Sequence, residues 1–60
     1  MTVKEVEKLL LKDGWYLKNV NGSHYQYVHD TKNGKVTVPH HKGDLKIKTV
    51  KSILKQAGLK

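Results

Sequence analysis

Apolar residues recur with a helical period at the start of the chain, with a two-residue period in the middle, and with the helical period again at the end. Val3, Val6 and Leu10, flanked by Leu9, form one stripe of a first helix over about residues 3–12. Thr2 and Glu5 fit a capping box, the Thr2 hydroxyl accepting from the Glu5 amide while Glu5 reaches back. Early Glu5 and Glu7 and late Lys8 and Lys12 suit the helix dipole. Asp13-Gly14 ends the helix, because Gly14 can take the left-handed conformation. Trp15 to Val20 then alternate as a first strand with Trp15 and Leu17 on one face. Asn21-Gly22 is a hairpin signal, since both residues tolerate positive φ. In the second strand, about His24 to Asp30, Tyr25, Tyr27 and His29 face one way and His24, Gln26 and Val28 the other. The tyrosine face is the better core candidate, which turns His24 outward. A turn over Asp30 to Gly34 leads to a third strand, Lys35 to Val38, stopped by Pro39, which has no amide to donate. After a polar loop from His40 to Asp44, Thr49 is the expected N-cap of a second helix. Its core stripe is Val50, Ile53, Leu54 and Ala57, and Gly58 ends it.

The order helix, three strands joined by hairpins, helix predicts an α+β fold. It is a two-layer α-β-β-β-α domain with two helices on one face of a three-stranded antiparallel sheet and the opposite face open. This architecture resembles the double-stranded-RNA-binding-domain fold. Residues 1–60 read as a single domain without internal repeat or linker. A chain of this size buries only about 60% of its unfolded surface, so a partner is expected to contribute to its stability. The N-terminus carries a helical pattern rather than a signal peptide, and no apolar run approaches the roughly 18 residues of a membrane span. A cytoplasmic protein with no membrane partner is expected.

Charge adds a partner class. Twelve basic residues face five acidic ones, for a net charge of +7, and every basic residue is lysine. Such an excess points to RNA or another polyanion, the bland alternative being a lysine surface kept for solubility. Lysine acts on phosphate as a point charge, whereas arginine reads base edges bidentately, so all-lysine usage favours backbone contacts. Lys46, Lys48 and Lys51 cluster at the start of the second helix, where the dipole already favours phosphate. With no cysteine, neither a disulfide nor a thiolate site is possible.

Four histidines, His24, His29, His40 and His41, raise metal binding. His40 and His41 are neighbours that cannot both point into one site from a strand, and no carboxylate lies at a familiar ligand spacing, so no metal and no cofactor are expected. Ser23 beside His24 lacks a nucleophile elbow. General acid–base work on RNA suits the residues better. The ribose 2′-hydroxyl is the nucleophile, a histidine with an ordinary pKa of about 6.5 moves the proton, and lysines supply positive charge. Gly22 serves the turn or allows close approach of RNA, and Ser23 bonds a phosphate or its own backbone.

Three segments carry a whole-chain resemblance. Gly22-Ser23-His24-Tyr25-Gln26-Tyr27 is followed by Val36-Thr37-Val38-Pro39-His40-His41 and then by Val50-Lys51-Ser52-Ile53-Leu54-Lys55-Gln56-Ala57-Gly58-Leu59, with Asp13-Gly14-Trp15 at the helix-to-strand junction. Together they resemble the HicA family of toxin mRNA interferases. The resemblance implies the fold predicted above, cleavage of mRNA, and inhibition by a HicB-like antitoxin that covers the active site. It places the catalytic histidine at His24 and a secondary RNA contact at His41. Two positions depart from the commoner pattern: Tyr25 stands where many members have a second histidine, and Lys48 where a glycine often precedes the capping threonine. The first puts any mechanism with two adjacent histidines in doubt. A non-catalytic RNA-binding module of the same fold, or a subunit whose basic surface docks an acidic antitoxin, are the alternative readings.

Overall fold

In the computed structural model, which describes residues 1–40 and 43–59, the elements follow the predicted order. They are α1 (Val3–Lys12), β1 (Tyr16–Asn21), β2 (His24–Val28), β3 (Val36–Pro39) and α2 (Ile47–Gln56). Both halves of the Thr2–Glu5 capping box form, with the Glu5 amide donating to the Thr2 hydroxyl at 3.2 Å and the Thr2 amide to the Glu5 carboxylate at 2.9 Å. Val3, Val6 and Leu10 are the buried stripe of α1. Gly14, at φ +100°, turns the chain out of the helix.

The sheet has the order β1-β2-β3, both pairs antiparallel. Tyr27, Val36 and Val38 pack with Trp15, Leu45, Ile53, Ala57 and the α1 stripe into one core. Both helices lie against β3, and the main-chain amide of Thr37 on that strand donates to the Gln56 side chain at 3.4 Å. β1 is the uncovered edge, and all six of its residues are exposed. A bulge between Leu17 and Asn19 leaves Lys18 out of the pairing, a feature that twists an edge away from unwanted partners.

Three local expectations change. Trp15 and Leu17 do not share a buried face: Trp15, 1% exposed, precedes β1, whereas Leu17 is 44% exposed because no helix reaches over the edge strand. The hairpin turn is Gly22-Ser23 rather than Asn21-Gly22. Asn21 pairs with His24 inside the ladder, and positive φ is needed only at Gly22 (+62°), the first loop position, as in a type II′ turn. The N-cap of α2 is Lys46, not Thr49. Leu45 is buried, its amide donates to the Met1 carbonyl at 2.8 Å, and Asp44 bridges to Thr2. The chain is therefore pinned at residue 45 and turns into the helix immediately, so Thr49 falls inside the first turn.

The same pinning sets the helix layer. Residues just ahead of the two helices are tied together by the Met1–Leu45 bond, and the helix ends by Lys32, which donates to both the Asp13 carboxylate and the Ala57 carbonyl. Accordingly α1 and α2 run side by side in the same direction. Their positive dipole ends lie together.

Candidate functional site

The ends of the sheet differ in how their polar groups are used. Where β1 begins, Asp13 accepts from Trp15 Nε1 at 3.2 Å and from Lys32. The Lys32 hydrogen bond holds the Asp13 carboxyl below the usual carboxylate range. His29 is engaged at both ring nitrogens. Nδ1 accepts from the amides of Thr31 and Lys32, so Nε2 carries the proton that bonds the Asp13 carbonyl at 2.7 Å. Its ring meets Trp15 edge-on. This histidine is a bracket, not a reagent.

A second network joins α1 to the sheet. The Glu7 carboxylate accepts from the Tyr27 hydroxyl and from His40 Nε2, the latter at 2.9 Å, and the His40 ring stacks on Tyr25 with centroids 3.5 Å apart. Burial, reinforced by Glu7, pushes the Tyr27 phenol well above its ordinary pKa. Neither Glu7 nor His40 was an expected functional residue. A signal existed for Glu7, which lies three residues from core Leu10 and so borders the buried stripe. The long-range stack of His40 on Tyr25 has no local signature.

These contacts fix the direction of His24. Tyr25 and Tyr27 look toward the helices, so His24, between the turn and Tyr25, looks toward the open face. It is exposed, and no described residue bonds its ring. Asn21 and Pro39 are its register partners on β1 and β3. The preceding Ser23 carbonyl accepts from the His40 amide at 2.8 Å, which holds the approach to His24 on a firm ladder. A side chain at Gly22 would meet nothing within 4 Å, so the backbone there is open to a ligand.

A groove lined by Pro39, Asp44, Leu45, Lys46 and Thr49 runs from the register partner of His24 to the start of α2. Among the described residues no side chain caps α2 and no acid occupies its first turn, which leaves amide donors and Lys46 facing solvent. Thus Gly22, Ser23, His24 and Lys46 share one end of the molecule. Lys48 and Lys51 are exposed on α2, in the layer behind the sheet, so they join this end only around its β3 side. His41 lies outside the described residues.

The lysines are largely unneutralised. Glu5 is engaged in the cap, Glu7 by Tyr27 and His40, Asp13 by Lys32 and Trp15, and Asp30 by the Tyr16 hydroxyl at 3.1 Å. Among the described lysines only Lys32 is ion-paired with a carboxylate, while Lys4, Lys8, Lys12, Lys18, Lys35, Lys46, Lys48, Lys51 and Lys55 are exposed. No group of three or more metal-ligating side chains occurs among the described residues. No helix there is long and apolar enough to cross a membrane.

The family model for the HicA toxin of bacterial toxin–antitoxin systems matches residues 3–59. The chain belongs to the HicA toxin family. No curated protein matches it. The HicA match runs through every element from α1 to the end of α2, including the glycine-serine-histidine turn and the valine-proline end of β3. Membership makes this HicA chain the toxin of a toxin–antitoxin system. Its glycine-serine-histidine segment lies where the fold leaves polar groups free.

Proposed function

We propose that the chain is an endoribonuclease that cleaves mRNA without a metal ion, with His24 as general acid or base. The observation that carries this reading is the difference among the described histidines: His29 and His40 are bonded inside the fold, whereas the His24 ring is exposed and unengaged. A proton-transfer group has to be within hydrogen-bond reach of its substrate, and His24 is the one so presented. The 2′-oxygen bonds to phosphorus as its proton leaves, the bond to the 5′-oxygen breaks, and that oxygen takes a proton. The products are a cyclic phosphate and a 5′-hydroxyl. His24 performs one of the two transfers.

Phosphates are held by Lys46 with the uncapped start of α2, and by Lys48 and Lys51 where the strand rounds the edge of the sheet. Gly22 lets the RNA backbone approach, Ser23 donates to a phosphate, and His41 adds a secondary contact. A HicB-like antitoxin covers this end, and the toxin acts in the cytoplasm. The test is incubation of wild-type and His24→Ala protein with RNA in chelator, with the product ends mapped. Wild-type protein should leave cyclic phosphates, and His24→Ala intact RNA. Cleavage by the alanine variant at a rate near that of wild type sinks the assignment. RNA binding without cleavage by either protein makes the chain a binding module.

A further inference from the structure

The open face of the sheet carries a set of hydrogen-bonding side chains that the lysine-only composition does not lead one to expect. Cross-strand partners share a face. The register therefore places Asn21, His24 and Pro39 in one row and Asn19, Gln26 and Thr37 in the next. A third row, Tyr16 and Val28, closes the far side, with the Tyr16 hydroxyl tied to Asp30. The helices lie on the other face, since Tyr27 is buried against Glu7 of α1 and Val36 and Val38 are buried in the core.

We infer that Asn19, Asn21, Gln26 and Thr37 form a recognition surface for the bases of unpaired RNA next to the bond cleaved at His24. The inference deepens the proposed function and rests on it. First, the chemistry fits. A carboxamide offers donor and acceptor together, the combination that grips a base edge bidentately. Three carboxamides and a hydroxyl lie in two adjacent rows, and no described residue bonds the side chains of Asn19, Asn21 or Gln26.

Second, charge is distributed as such a ligand requires. No lysine or carboxylate occupies a paired position in the three rows, and the nearest acid, Asp30, borders only the far row through Tyr16, so the two rows next to His24 carry no charge that holds or repels phosphate. The unpaired lysines lie around it: Lys18 in the bulge of β1, Lys35 beside the start of β3, and Lys46 beyond Pro39. A strand laid across the face thus meets uncharged hydrogen-bonding groups beneath its bases and cations along its backbone.

Third, the spacing fits. Successive rows are two residues apart, about 7 Å, comparable with the step of an extended single strand. The row behind His24 thus addresses the base adjoining the reacting ribose. A duplex buries the informative base edges of its deep, narrow major groove and is recognised mostly by shape, whereas unpaired bases expose the edges that carboxamides read, so the substrate of this surface is single-stranded. The lysines give affinity and these amides give sequence preference, a division that the all-lysine composition, which favours backbone contacts, does not show.

The experiment has two arms. In the first, wild-type, Asn19→Ala, Gln26→Ala and Gln26→Met proteins cleave a panel of short RNAs that differ only in the bases flanking the scissile bond. The methionine variant keeps side-chain length should alanine disturb the strand. Loss of one bidentate contact should collapse the ratio between best and poorest RNA by about tenfold. In the second arm, the same substitutions in a His24→Ala background bind the same RNAs across a salt series. Gln26→Ala should flatten the base preference and leave the salt slope unchanged, whereas Lys46→Ala should lower the slope by about one and keep the preference. An unchanged preference profile in all the variants, or no base preference in the wild type, overturns the inference. Cleavage by His24→Ala overturns the role of His24 instead, and the binding arm still reads the face.

Discussion

Each end of the sheet pairs a glycine of positive φ with a histidine, and the two pairs are used in opposite ways. At the start of β1, Gly14 (φ +100°) is packed against His29 so closely that a Cβ on it would meet His29 Nε2 at 2.8 Å. At the other end, Gly22 (φ +62°) stands beside His24 with nothing within 4 Å of where a Cβ would be. The His29 ring is bonded at both nitrogens, and the His24 ring by no described residue. The same residue types therefore build a lock where their polar atoms are saturated and a reagent where they are not. A sixty-residue domain needs the first to hold the second still.

The contrast can be broken in a graded way. Trp15→Ala removes the largest fully buried side chain from the locked end and should cost about 3–5 kcal/mol. That is enough to unfold most of the population of a domain this small, read as a lost or strongly lowered thermal transition. His24→Ala should do the reverse. Its thermal transition should stay within about 0.5 kcal/mol of wild type, while RNA cleavage falls by about a hundredfold or more. Loss of fold in this variant would put His24 among the structural histidines. Gly14→Ala and Gly22→Ala form the sharpest pair. Gly22→Ala should cost only the left-handed backbone penalty, about 1–2 kcal/mol. Gly14→Ala adds collision with His29 and should cost at least about 1 kcal/mol more by chemical denaturation. Equal costs would mean that the His29 bracket gives way freely.

The smallest effect is that of pH. Asp13 is depressed by its Lys32 hydrogen bond relative to an ordinary value of 3.8. Its contribution is thus complete above that value and is lost as pH falls through the lower folded value. Tyr27 is raised from 10.0 by burial and by Glu7, so its contribution is complete below that value and lost at more alkaline pH. Asp13→Asn should flatten the acid limb of a stability–pH curve and leave the alkaline limb unchanged.

Much of this division could be read from the chain. The period of Val3, Val6 and Leu10, the alternation of Tyr25 and Tyr27, and the stripe of Val50, Ile53 and Ala57 each report a local periodicity and give the buried face, while Leu54, the fourth member of that last stripe, is only half-buried and stays outside the core. The outward direction of His24 follows from the same alternation. What escaped depends on residues far apart in sequence. Thr49 has the right side chain for an N-cap, but pinning of Leu45 against Met1 starts the helix three residues earlier than a cap there would. Leu17 has the parity of a core residue, yet it lies on the strand that no helix covers. Glu7 and His40 meet across 33 positions, and nothing near either predicts it. The row of Asn19, Gln26 and Thr37 was equally hidden, because a register across three strands, including a bulge at Lys18, is not a property of any one of them.

The exposed lysines also decide how the molecule responds to ionic strength. With the carboxylates of Glu5, Glu7, Asp13 and Asp30 engaged by partners inside the fold and a net charge of +7, the surface repels itself, and added salt should relieve that strain and raise the melting temperature. The same salt releases bound RNA. Fold and function thus respond to ionic strength with opposite sign. A bound polyanion resolves the opposition by screening the lysines itself and stabilising the native state by mass action. By this logic the protein is least stable when alone in dilute buffer, and any anionic partner, substrate or inhibitor acts as part of its structure.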